Sequence, residues 1–201
     1  KVSDLKGLKF RTVGHGAQVL ARLGVTIIPL PSNEIFANLQ SGAIDGAEWV
    51  GPYNDLSLGF YKVTKLYYWP GFQEPGGALQ CVINKSKFEA LPDELRQIVA
   101  ACCAAENDMM LAEFNGRSPA ALASLVNEHG VEIKQFPRDV LAALGAASGD
   151  VMEELVANGD DITKRIATSY FKFRQDAMRY TKISEAAFTA ARSMRFDFPK
   201  G

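Results

Sequence analysis

Over its first third the chain alternates short apolar runs rich in β-branched residues with stretches whose apolar residues recur at helical spacing. This alternation is the sequence form of βαβ units, since a strand needs a few consecutive apolar residues and a helix needs one every third or fourth. Leu8 to Val13 reads as a strand broken by Gly14 and Gly16. Ala17 to Leu23 puts Val19, Leu20 and Leu23 on one helical face, Gly24 closes that helix, and Val25 to Leu30 is a second strand. Ser32 stands as an N-cap before a helix with Ile35, Phe36 and Leu39 on its apolar face, which stops at Gly42. Ile44 to Val50 follows as a third strand. Pro52 starts a short helix around Leu56 to Phe60, Val63 to Tyr68 is a fourth strand ending at Pro70-Gly71, and Ala78 to Asn84 is another beyond Gly76-Gly77.

After Phe88 the pattern turns helical. Pro92 suits a first turn, and Leu95, Ile98, Val99, Cys102, Met109 and Phe114 predict one helix to about Phe114, with a second over Pro119 to Glu128. Gly130 ends it, and Val131 to Phe136 reads as an isolated strand. Helix resumes from Arg138 to about Met194, interrupted near Asn158-Gly159, with Ile162, Ile166, Phe173, Ala177 and Phe188 on the apolar side of its last part. The expected class is thus α/β, a parallel-rich sheet followed by long helices. No repeat or low-complexity linker divides the chain.

Composition narrows the function. With 22 basic against 23 acidic residues and a net charge of -1, no basic excess points to nucleic acid or an anionic membrane, so a small ligand or a protein partner is the default. No apolar run is long enough for a transmembrane helix, and no signal peptide is legible at the N-terminus. Cys81, Cys102 and Cys103 have no metal-ligand spacing and read as small buried hydrophobes. Nucleophile motifs, Walker loops, zinc signatures and the three-glycine dinucleotide fingerprint are absent from the sequence. His15 and His129 read as residues of surface turns.

Three stretches carry the chemistry. Arg11 lies in the first strand, where its planar guanidinium either faces a cleft and grips a carboxylate with two arms or sits in solvent on an edge. In Asp45-Gly46-Ala47-Glu48-Trp49-Val50-Gly51-Pro52, Trp49 is either an aromatic wall at a crevice mouth or core. In Tyr67 through Gly77, Glu74 follows four aromatics, Phe72 among them, and a buried carboxylate there needs Arg11, a metal ion or water as a partner. Hard cations take carboxylate and carbonyl oxygens of this kind.

These stretches, in this order, resemble the solute receptors of tripartite ATP-independent periplasmic (TRAP) transporters. Leu5-Lys6-Gly7-Leu8-Lys9-Phe10-Arg11, Gly42-Ala43-Ile44-Asp45-Gly46 and Leu91-Pro92 with its helix carry the likeness. Glu48-Trp49-Val50-Gly51-Pro52 and Trp69-Pro70-Gly71-Phe72-Gln73-Glu74 resemble the subgroup that binds 2-oxo or 2-hydroxy monocarboxylates with a metal ion. The resemblance implies a type II periplasmic-binding-protein-like fold that closes on its ligand like a hinged clamp. It implies that Arg11 clamps the carboxylate and that the Trp49 carbonyl and the Glu74 side chain hold Na+ or Ca2+ against the substrate. Phe72 then belongs to the aromatic wall that limits the substrate's side chain. It implies a periplasmic protein that performs no catalysis and serves TRAP membrane permease subunits. The helix after Asp161 either packs on its own lobe or swaps into a homodimer.

By the same resemblance residues 1–77 form the ligand-binding lobe, 78–130 a return strand and long helices toward another lobe, and 131–201 a strand and C-terminal helices. The chain begins at what resembles the start of the second lobe. The expectation is therefore that the first lobe's share of the pocket, including a glutamine-type metal ligand, lies outside it, that Ala78 to Asn84 exposes an edge, and that this chain alone binds ligand weakly or not at all. Two rival readings use the same residues: the sensing domain of a cytoplasmic regulator, and a metal-dependent enzyme on a 2-oxo acid with His15 as base.

Overall fold

The computed structural model describes residues 1–72 and 79–195. After a 3-10 turn at Val2–Leu5, the chain runs β1 (Lys9–Arg11), α1 (Gly14–Arg22), β2 (Thr26–Ile27), α2 (Ser32–Ser41), β3 (Gly46–Ala47) and α3 (Pro52–Ser57). A 3-10 turn at Phe60–Lys62 leads to β4 (Leu66–Trp69), followed by α4 (Lys85–Glu89), α5 (Asp93–Asn127), β5 (Glu132–Gln135), α6 (Arg138–Asn158), α7 (Asp161–Ile183) and α8 (Glu185–Arg192). The class is α/β, as read from the alternation.

Two compact units divide the chain, residues 1–148 and 149–201. In the first, three parallel strands are ordered β2-β1-β3, with Phe10 opposite both Ile27 and Gly46. Ile35 of α2, Ile44 and Phe60 form a buried cluster, with Ile28, Leu30, Phe36, Leu39, Ala47 and Trp49 packed on it. Ile35 is fully buried, which contributes roughly 1.5–3 kcal/mol. Gly42 closes α2 at φ 72, the left-handed conformation that favours glycine. Gly46 is needed for a different reason: a Cβ there would stand 2.8 Å from the Phe10 ring, so a side chain would push β3 off β1.

Several boundaries and pairings differ from expectation. The glycines that break the first strand also open α1, and Pro31 rather than Ser32 occupies the N-cap of α2. Residues 85–89 make a short helix capped by the Asn84 side chain, whereas residues 79–84 form no strand. A strand exists through a neighbour's hydrogen bonds, and among the described residues no strand lies beside this run. The segment Val131 to Phe136 is not isolated: β5 pairs in parallel with β4, Leu66 opposite Glu132 and Trp69 opposite Gln135. The two helices expected around Pro119 are one 35-residue helix, α5. Pro119 deletes a single N–H, toward the Asn115 carbonyl, and the turns on either side hold the helix through that gap.

The cysteines are exposed, not buried. Cys102 and Cys103 sit on a part of α5 where Leu95, Ile98, Met109 and Leu111 are exposed as well, so apolar character there does not translate into burial. In the second unit α7 is capped by Asp160, whose carboxylate accepts from the Thr163 N–H at 2.8 Å. Ile162, Ile166 and Phe173 lie exposed along that helix, Phe173 at 72%. No helix of the described residues is long and apolar enough to cross a membrane.

Candidate functional site

Chain order sets the position of the site. From β1 the chain passes to β2 on one side and then crosses to β3 on the other, so the reversal falls beside the central strand β1. In parallel sheets such a point leaves a crevice at the carboxyl ends of the strands. Arg11 ends β1, and Glu48 and Trp49 follow the end of β3.

Arg11 is 5% exposed in the middle of its sheet, which disposes of the edge-strand reading. Its Nε donates to the Leu30 carbonyl at 3.0 Å. Its Nη1 donates to the Glu48 carbonyl at 3.1 Å and to Glu48 Oε1 at 2.9 Å. These bonds use three of five donors. They leave the Nη2 amino group without a hydrogen bond among the described residues. The guanidinium fork is thus partly taken up by the protein's own oxygens, and Nη2 remains over. The guanidinium also lies 5.3 Å from the centre of the Trp49 ring, a cation–π arrangement that holds its plane.

The Trp49 ring is half-buried against the core cluster and carries the Arg11 guanidinium. Its backbone carbonyl accepts no hydrogen bond from the described residues, so a hard oxygen donor is available at the strand end. Phe72 is half-buried on the chain beyond β4. Glu74 lies outside the described residues. Among the described residues no three side chains of the His, Cys, Asp or Glu type gather to hold a metal ion.

Two groups at this site were not singled out from the sequence. Glu48 is the anion that holds Arg11, and pairing of β3 with β1 brings together positions 37 residues apart. Asp55 of α3 is buried, and its Oδ2 accepts from the Tyr67 hydroxyl of β4 at 2.7 Å. Burial pushes the Asp55 carboxyl up to about 6; the Tyr67 bond opposes this rise and the charge of Glu48 adds to it. Burial and the adjacent Asp55 push the Tyr67 hydroxyl up as well. Thr12 Oγ1, Trp49 Nε1, Asn54 Oδ1 and Asp55 Oδ1 are buried without a partner among the described residues. Thr12 and Trp49 follow the ends of β1 and β3, and Asn54 and Asp55 lie in α3 just beyond; such a concentration of unmet polar atoms marks a site kept for something other than stability.

An open hollow of about 420 Å³ between Pro52 and the Pro119 turn of α5 is lined by none of these site residues. His15 is exposed in the first turn of α1, and His129 stacks on Tyr61 with ring centres 3.8 Å apart.

A parallel sheet with a buried cation beside its switch point defines the class: an α/β lobe of the periplasmic-binding-protein kind. The chain belongs to the bacterial extracellular solute-binding proteins, family 7 (DctP), whose family model it matches over residues 1–158. It is 36% identical to a monocarboxylate 2-oxoacid-binding periplasmic protein of Nostoc sp. over 93% of this chain and 51% of that protein. A TRAP transporter solute-binding protein of Bordetella bronchiseptica, solved with copurified calcium and picolinate, superposes with a TM-score of 0.89 at 34% identity, over 96% of this chain and 59% of that one. A TRAP periplasmic solute-binding protein of Colwellia psychrerythraea, solved with calcium and pyruvate, gives 0.89 and 34%, over 95% and 58%. The chain therefore spans about half the length of the curated relative and under two thirds of the solved chains.

Proposed function

We propose that the protein is the extracytoplasmic receptor of a TRAP transporter, which captures a small 2-oxo or 2-hydroxy monocarboxylate with Na+ or Ca2+ in the periplasm and presents it to the membrane permease subunits. It performs no chemistry on its ligand. The observation that carries the reading is Arg11, a buried guanidinium at the switch point with Nη2 still available. The calcium, picolinate and pyruvate in the solved relatives support the same ligand class.

In this reading Arg11 Nη2 donates to the substrate carboxylate while Glu48 and Trp49 hold the guanidinium in place. The Trp49 carbonyl and the Glu74 carboxylate hold the ion, and Phe72 forms part of the wall beside the substrate. The free Trp49 carbonyl fits a hard cation. The bound ion supplies positive charge that neutralises Glu74 and draws in the second substrate oxygen. An acid without a 2-oxo or 2-hydroxy group then leaves that demand unmet and binds worse.

Calorimetric titration of the full-length protein with pyruvate tests this. Binding is expected in Ca2+ or Na+ and is expected to weaken after chelation and desalting. Arg11→Ala is expected to abolish it, and Arg11→Lys, which keeps a charge against Glu48 but has no Nη2, to weaken it about a hundredfold. Glu74→Gln weakens it through the ion, by about tenfold or more. Wild-type affinity in these variants, or no response to any 2-oxo or 2-hydroxy acid, refutes the assignment.

A further inference from the structure

A hydrogen-bonded pair, buried Asp55 and half-buried Tyr67, links the two chain segments that carry the candidate site. Asp55 lies in α3, which begins directly after Trp49-Val50-Gly51, and its N–H donates to the Gly51 carbonyl at 2.9 Å. Tyr67 lies in β4, which leads through Trp69 toward Phe72. The 2.7 Å bond from the Tyr67 hydroxyl to Asp55 Oδ2 joins these segments side chain to side chain. We propose that Asp55 and Tyr67 are positioning residues, whose hydrogen bond sets the Trp49 segment against the chain leaving β4 and so governs affinity for the 2-oxo acid without touching it. This inference rests on the receptor reading above.

Three observations carry it. The pair is costly as a stabilising device: Asp55 is 8% exposed and its Oδ1 has no partner among the described residues. An apolar pair of the same volume would avoid that desolvation. The pair also has leverage. The β4 backbone is fixed from its other side by β5, with Tyr67 opposite Ile133, so the hydroxyl reaches α3 from a held strand. Among the described residues no other side-chain hydrogen bond joins β4 to α3. Finally, the pair is tied to the run that holds the Arg11 partner: Asp55 follows Glu48 on the same short stretch, and its N–H donates to the Gly51 carbonyl. A rigid outer contact of this kind orients groups that do bind, and its loss typically costs affinity without removing a ligand.

Pyruvate titrations of the full-length protein at saturating Ca2+ test the inference. Tyr67→Phe and Asp55→Ala are each expected to weaken pyruvate about tenfold. Their double variant should be no weaker than the poorer single, since both remove one bond. Asp55→Asn keeps an oxygen that accepts from Tyr67 and should stay within about threefold of wild type. Wild-type affinity in Tyr67→Phe, losses that add in the double variant, or an Asp55→Asn variant as weak as Tyr67→Phe overturns the proposal. If Asp55→Ala does not fold, Tyr67→Phe against Asp55→Asn decides alone. Should wild type bind no 2-oxo acid, the receptor reading fails and the pair is read without ligand, by amide exchange. Tyr67→Phe should then speed exchange both at Trp49–Gly51 and at Gly71–Phe72, and a change confined to one of the two segments overturns the inference.

Discussion

Arg11 and Asp55 are opposite charges, both buried, and the protein treats them differently. The cation has a carboxylate and two carbonyls around it, so its burial is largely compensated. The anion has one phenol and an acidic neighbour, which makes its burial dependent on pH. Its folded value, pushed up to about 6, stands above the ordinary carboxylate value of 3.8. The folded state therefore binds this proton more tightly than the unfolded state, and the contribution of Asp55 to stability falls as pH rises between those two values. The difference amounts to about 2–3 kcal/mol. Urea unfolding at pH 4 and at pH 7 checks this: relative to Asp55→Asn, wild type is expected to lose about that much stability on going to pH 7, and a pH-independent difference contradicts it. Of these residues, Arg11 and Trp49 were legible because a cation among β-formers and a tryptophan between glycines are locally unusual. Glu48 and Asp55 were not. The partner of Glu48 lies on another strand, and Asp55 in the run Pro52-Tyr53-Asn54-Asp55 reads as the polar side of a surface helix until Tyr67 is brought over it.

At the scale of elements, period and punctuation revealed helices better than strands. The positions Ile35, Phe36 and Leu39 with Gly42 mark α2 without outside help, because a helix satisfies its own backbone. Burial of Ile35 against Ile44 and Phe60 makes Ile35→Ala a direct test of that face. A loss of about 2–5 kcal/mol in denaturant unfolding is expected, and a loss below about 1 kcal/mol would mean that the cluster is not the core. Strands depend on partners that the local pattern does not contain. Apolar residues alone made 78–84 look like a strand, while β3 shrinks to two residues because only Gly46 and Ala47 meet β1. Pro119 reads from the sequence as the start of a second helix, yet one missing hydrogen bond does not divide a helix of 35 residues.

For the molecule as a whole, a homodimer through α7, one of the two arrangements expected from the sequence, would cover Ile162, Ile166 and Phe173, which lie exposed. Sedimentation of the full-length protein is expected to give a dimer that the Ile166→Glu, Phe173→Glu double variant converts to monomer; a monomeric wild type refutes the pairing. The β4–β5 ladder bears on how such a chain is made. Leu66 pairs with Glu132, 66 positions later. At ~5–20 residues per second on the ribosome, β4 waits roughly 3–13 s for its mate. Through that interval Leu66, Tyr68 and Trp69, each close to half exposed even when folding is complete, line a naked strand. The pace at which the chain between β4 and β5 is delivered to where it folds thus bounds how early β4 can be shielded from aggregation.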